Sequence, residues 1–156
     1  MSFPENSPNS NSKTAPHFSE YFGAGDVTDG FERMFISLWP GWLGEEQYHL
    51  LDEVTKAEWS RFNKLISAIA ADYKIGIADI PRQQIDYPDN IEDTFDTYEA
   101  SMDKTAEEFN RYIIPDLGCV ISEEWDYTFI LWHRRNDAVD VLRRYIEANQ
   151  LFLFSD

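Results

Sequence analysis

Apolar residues recur at intervals of three and four along residues 89–112, and no other feature restricts the folding of this chain as much. Ile91, Phe95, Tyr98, Met102, Ala106, Phe109 and Ile113 fall on one side of an α-helix, so the spacing predicts a helix here, ended by Pro115 and Gly118. The same steps link Tyr48, Leu51, Thr55, Trp59, Phe62, Ile66, Ile69 and Tyr73 and predict one long helix over 45–73. Thr55 and Glu58 have capping-box spacing, which allows a break into two helices near Val54. A shorter helix is expected where Phe31, Met34, Phe35 and Leu38 follow Asp29 and Glu32. It stops at Trp39-Pro40-Gly41-Trp42, whose Pro and Gly suit the second and third positions of a type II turn. Gly76, Pro81 and Pro88 mark residues 74–88 as a connection with at most a short strand at 75–80.

Strand signals concentrate near the C-terminus. Leu117–Ser122 and Tyr127–His133 are rich in β-formers around Glu123-Glu124-Trp125-Asp126, which predicts a hairpin with a four-residue loop and both faces covered. Asn136 or Asp137 caps a following helix whose inner face is Ala138, Val141, Leu142, Tyr145 and Ile146, with Asp140 and Arg144 paired on its flank. Leu151–Phe154 reads as a closing strand. The expected fold class is therefore α+β: helix-rich, with a small antiparallel sheet formed by the C-terminal hairpin and the closing strand.

Residues 1–16 hold Pro4, Pro8 and Pro16 among four Ser and three Asn, too little apolar surface to offset ordering entropy. They are expected to form a disordered tail in front of a single globular acidic domain over 17–156. The lone Cys119 rules out an intramolecular disulfide, and neither a signal peptide nor a long apolar run is visible, which points to the cytoplasm.

Signatures of chemistry are sparse. No P-loop, GxGxxG, G-x-S-x-G elbow or paired-cysteine metal spacing occurs, so no catalytic residue, metal or cofactor is assigned. Glu46-x-x-His49 has the spacing of a helical metal-ligand pair, but carboxylate-bridged sites need that motif twice, and His17 and His133 have no Glu three residues upstream. Cys119 with His133 is conceivable as a nucleophile and base. A loop over 123–126 instead sets Cys119 opposite Ile130, which favours a buried core thiol.

Charge carries the functional reading. The net charge of −16 opposes direct binding to nucleic acid and to anionic membranes and favours a basic protein partner. Between Gly76 and Asp116 eleven acids face three bases, a net of −8, so half the protein's net charge sits in about a quarter of its length. On the expected helix Asp89, Asp93, Asp96, Asp103 and Glu107, flanked by Glu92 and Glu99, form a stripe opposite the apolar face. Like charges at that spacing cost a few tenths of a kcal/mol per pair, a cost that points to a functional role. Trp39 and Trp42, at the two ends of the expected turn, are the aromatic candidates for the same interface. The chain is thus expected to be a non-enzymatic acidic binding domain, of the inhibitor or immunity type or a nucleic-acid mimic. The alternative is a small enzyme or ligand-binding domain with carboxylates in a pocket between helices and sheet.

Overall fold

β-Branched and aromatic residues crowd Tyr112–Ile114, Val120–Ile121 and Thr128–Trp132, and these stretches build the centre of a sheet. The computed structural model describes residues 17–23 and 26–156, so the expected tail over 1–16 lies outside the described residues. Strands β1 (Phe22–Gly23) and β2 (Asp26–Val27) pair as a small ribbon. Seven more form one sheet: β3 (Glu32–Ser37), β4 (Gly76–Asp79), β5 (Gln84–Asp86), β6 (Arg111–Ile114), β7 (Cys119–Glu124), β8 (Thr128–His133) and β9 (Phe152–Phe154). Their order is β5-β4-β6-β7-β8-β3-β9, and every neighbouring pair is antiparallel. Helices α1 (His49–Asp52), α2 (Lys56–Ala70), α3 (Tyr98–Ser101) and α4 (Asn136–Ala148) complete the described architecture. The expectation of a helix-rich chain with a small sheet is therefore overturned, because the seven-stranded sheet is the organising element.

Both faces of the sheet are covered. On one, Ile36, Tyr112, Ile114, Cys119, Ile121, Phe129 and Leu131 meet Phe62, Leu65, Ile66 and Ile69 of α2 and Ala138, Leu142 and Ile146 of α4. Each large side chain buried there stabilises the fold by roughly 1.5–3 kcal/mol before entropy is counted. On the other face Tyr21, Phe22, Phe18, Val27 and Phe31 of the N-terminal segment pack over Ile113, Val120 and Trp132. Since β8 and β9 both run antiparallel to β3, they are parallel to each other, and α4 is the crossover between them.

Three sequence expectations fail for physical reasons. The helix expected over 29–38 is β3: Phe35, Ile36, Ser37 and Leu38 are all buried, so the segment has no polar face to give water, and it fills the slot between β8 and β9. The helix expected over 89–112 breaks into a 3-10 turn at Ile91–Thr94, the single turn α3, another 3-10 turn at Ala106–Glu108 and strand β6. Asn90 accepts a hydrogen bond from the Glu92 amide and Thr97 one from the Ala100 amide, while Thr105 and Glu108 form a capping box, so three local turns outcompete one crowded acidic helix. The hairpin loop is Trp125–Tyr127 rather than 123–126, with Asp126 and Tyr127 both at positive φ. That moves the register: Ile130 pairs with Ser122, Cys119 pairs with Ile114 of β6, and continuation of the Val120–Trp132 register sets Cys119 level with His133.

Elsewhere the break near Val54 is present. Thr55 caps α2, its hydroxyl accepting from the Glu58 amide at 3.1 Å while the Glu58 carboxylate accepts from the Thr55 amide at 2.9 Å. Residues 74–88, expected as a connection with at most a short strand at 75–80, instead hold the two-stranded β4–β5 hairpin. At the end of β3, bends replace the type II turn expected at Trp39–Trp42. The N-cap of α4 is Arg135, and the ion pair on its first turn is Arg135–Asp137 at 2.7 Å.

Candidate protein-binding site

The hairpin loop is too short to hide a large side chain, so Trp125 at its tip stays 54% exposed, its ring edge-on to Phe109 at 4.7 Å. It separates two recesses at that end of the sheet. The first runs between the loop and residues 95–110, with walls of Trp59, Phe62, Phe95, Phe109 and Tyr127 and with Met102 exposed at its edge. The second lies between the bend after β3 and the start of α1 and is lined by Trp39, Trp42, Tyr48, Leu51 and Trp125. Trp42 and Tyr48 are exposed to much the same degree as Trp125, so three large rings meet solvent around this recess.

Within the first recess lies an ionic centre. The Lys104 ammonium, its side chain 7% exposed, donates to Asp96 and, at 2.6 Å, to Glu123. Burial works against the charged ammonium, but the hydrogen bonds to Asp96 and Glu123 outweigh it and raise the lysine above its ordinary pKa. Glu123 also accepts from the Asn110 amide, and Asn110 donates to the Tyr112 hydroxyl at 3.1 Å. The arrangement fastens the turn-rich 95–110 segment to β7. The two carboxylates that converge here are spanned by an ammonium, which suits a clamp better than an acid–base pair. Asp96, Glu123, Glu124 and Asp126 line the recesses as well, and the single base among the lining residues, Lys104, is already neutralised.

No family model, curated protein or solved structure matches the chain.

The residues singled out from sequence are dispersed. Asp89, Glu92, Asp93, Glu99, Asp103 and Glu107 are exposed, but on turns and short helices rather than along one helix. Asp96 is held by Lys104. Glu99 and Asp103 do not line the first recess themselves; Asp103 follows Met102, which does, and the Glu99 carbonyl accepts from the Met102 amide, whereas Asp89 lines a recess beside Tyr87 and Glu107 one beside Asp79 and Asp86. Trp39 and Trp42 do converge on the second recess; Trp39 also packs against the core, and the Trp42 indole N–H donates to Asp156 at 2.6 Å. Trp125, Tyr48, Lys104 and Glu123 were missed. The signal for Trp125 was a large aromatic inside an otherwise acidic hairpin loop, where a side chain has nothing to pack beneath.

The observed register brings Cys119 level with His133, not opposite Ile130 as the sequence predicts. Cys119 is buried, and burial pushes its thiol up to about 12, opposite to the lowered pKa of an activated nucleophile. His133 is buried too, with Nδ1 unpartnered. Glu46 and His49 are exposed, and among the described residues no group of three or more potential ligands gathers to hold a metal. No helix of the described residues is long and apolar enough to cross a membrane.

Proposed function

We propose that this chain is a non-enzymatic acidic binding domain, of the inhibitor or immunity type, that captures a basic protein through the hairpin-tip end of its sheet. One observation carries the reading: exposed Trp42, Tyr48, Trp125 and Met102 surround two adjoining recesses whose lining charges are acidic apart from the neutralised Lys104. Large exposed aromatics at the centre of a patch are the side chains that anchor protein interfaces. A surrounding negative field speeds capture of a cationic partner and repels nucleic acid and anionic membrane. The buried single cysteine needs no oxidising compartment, which fits a cytoplasmic setting.

The test is affinity capture from the host with the tagged chain, followed by reconstitution with each retained protein and measurement of association rates. A partner of high pI is expected, its association slowing steeply with salt and slowed at least about tenfold by joint reversal of Glu99, Asp103, Glu124 and Asp126 to Lys. Specific binding only to neutral or acidic proteins, or association indifferent to both salt and reversal, would overturn the reading.

A further inference from the structure

The second recess has the composition of a cation receptor. Four aromatic residues, Trp39, Trp42, Tyr48 and Trp125, line it together with Glu124 and Asp126, and no basic residue is among its described lining. Its remaining polar groups turn inward: Ser37 and Thr128, paired across β3 and β8, are buried, the Ser37 hydroxyl accepts from the Trp39 amide and the Thr128 hydroxyl donates to the Asp126 carbonyl. The Trp42 N–H is spent on Asp156, so the indole offers the recess its ring rather than a donor. That ring is fixed from behind, edge-on to Phe35 at 4.5 Å and to Phe154 at 5.2 Å. Arg33 is the cation near Trp42, but it is engaged outside the recess, paired with Asp156 at 3.8 Å and lying 5.5 Å over the Phe35 ring. Exposed rings beside two acidic residues, with no basic residue among the described lining, suit a positively charged group with an apolar stem. An anion would find few free donors and two carboxylates.

We infer that the recess bounded by Trp39, Trp42, Tyr48 and Trp125 receives an arginine or lysine side chain of the basic partner, its cationic head against the rings and near Glu124 and Asp126. This rests on the proposed function and adds the residue class that the interface reads. The cavity of about 300 Å³ is open to solvent on one side, as the entry of a side chain from another protein requires. Glu45, Glu46, Asp52 and Glu53, all exposed, flank Tyr48 and Leu51 along the chain and deepen the negative potential at the mouth.

The probe is butylguanidinium, with the neutral isostere butylurea as control, titrated into the full chain while the five indole N–H resonances are followed by NMR. Saturable shifts of Trp42 and Trp125 with butylguanidinium, little change at Trp132, and no response to butylurea are expected. Glu124→Gln with Asp126→Asn should weaken binding at least about fivefold, and Tyr48→Leu should do so without touching the sheet. Trp42→Ala should weaken binding as Tyr48→Leu does, and Trp42→Phe, which keeps a ring against Phe35 and Phe154, replaces it should Trp42→Ala fail to fold. Equal response to butylurea, or shifts that survive both the carboxylate and the Tyr48 substitutions, would overturn the inference. Tighter binding of tetramethylammonium than of butylguanidinium would also overturn it, by marking a quaternary ammonium compound as the ligand. With a partner in hand the two readings separate: loss on acid reversal but full affinity in Tyr48→Leu sinks the cation receptor and leaves the binding domain standing.

Discussion

Replacement of Lys104 by Met is expected to be the most damaging single change at the hairpin-tip end. The ammonium is almost fully enclosed and is the one cation between Asp96 and Glu123, so its removal leaves two carboxylates facing each other in the first recess. Breaking a fully buried ion pair from one side costs about 3–5 kcal/mol. Here the Asp96 side chain is 36% exposed and that of Glu123 20%, so water relieves part of the penalty and a loss of about 2–4 kcal/mol follows. For a chain of this size that is a fall in Tm of roughly 5–15 °C. Adding Asp96→Asn and Glu123→Gln to Lys104→Met removes the orphaned charges and should recover at least half of the loss. Because the folded-state lysine titrates above its ordinary value, the clamp's contribution is fully present below the unfolded pKa of about 10.4 and is lost as pH rises through the folded one. The wild type should therefore lose stability above about pH 10.4 that Lys104→Met never had. Urea unfolding at neutral pH and at pH 11 measures both effects. A Lys104→Met variant within about 0.5 kcal/mol of wild type at neutral pH would refute the clamp.

Gly76→Ala should cost about 1–3 kcal/mol in urea unfolding, since an added Cβ would lie 2.5 Å from Ile85 Cγ2 and 2.8 Å from Tyr87 Cε1, and a neutral result would mean that the β4–β5 hairpin shifts freely. Cys119 should react with a thiol reagent at neutral pH only as fast as the native sheet opens and rapidly once unfolded; fast native labelling would contradict a thiol whose burial pushes it up to about 12. Thr55→Ala should cost about 1 kcal/mol at neutral pH. Glu58 is held below its ordinary pKa by hydrogen bonds from Thr55, so that cost is present above the unfolded value of about 4.3 and should shrink as pH falls through the lower folded value.

What was legible in the sequence had a local cause. The Thr55–Glu58 box, the amphipathic α4 and the existence of a hairpin between residues 117 and 133 depend on neighbours along the chain, and each is present. What was not legible depended on partners far away. The spacing of Ile91, Phe95, Tyr98 and Met102 is helical, yet Ile91 and Phe95 join the core from turns that Asn90, Thr97 and Thr105 start one after another. Phe31, Met34, Phe35 and Leu38 fit a helix equally well on paper, and only the slot between β8 and β9 decides for a strand. The candidate site suffered the same way. Trp39 and Trp42 were visible, while Tyr48 and Trp125 join them only through tertiary packing.

The turn-rich acidic segment also changes how its charge acts. On a helix, Asp93, Asp96 and Asp103 would form one row with a common field and could be reversed together without harm to the fold. On turns they separate into roles: Asp96 holds Lys104, and Asp93 and Asp103 are exposed and outside every ion pair of the described residues. Reversing Asp96 would set two ammonium groups together in the first recess, so its effect on binding would be confounded with loss of the clamp. Reversing Glu99 and Asp103 beside Met102, or Glu124 and Asp126 beside Trp125, changes the field at the recesses and leaves the Lys104 clamp intact. On the proposed function, electrostatic capture is to be tested at those four positions and the stability of the hairpin-tip end at Lys104, because the acids that fasten, Asp96 and Glu123, are not among the four.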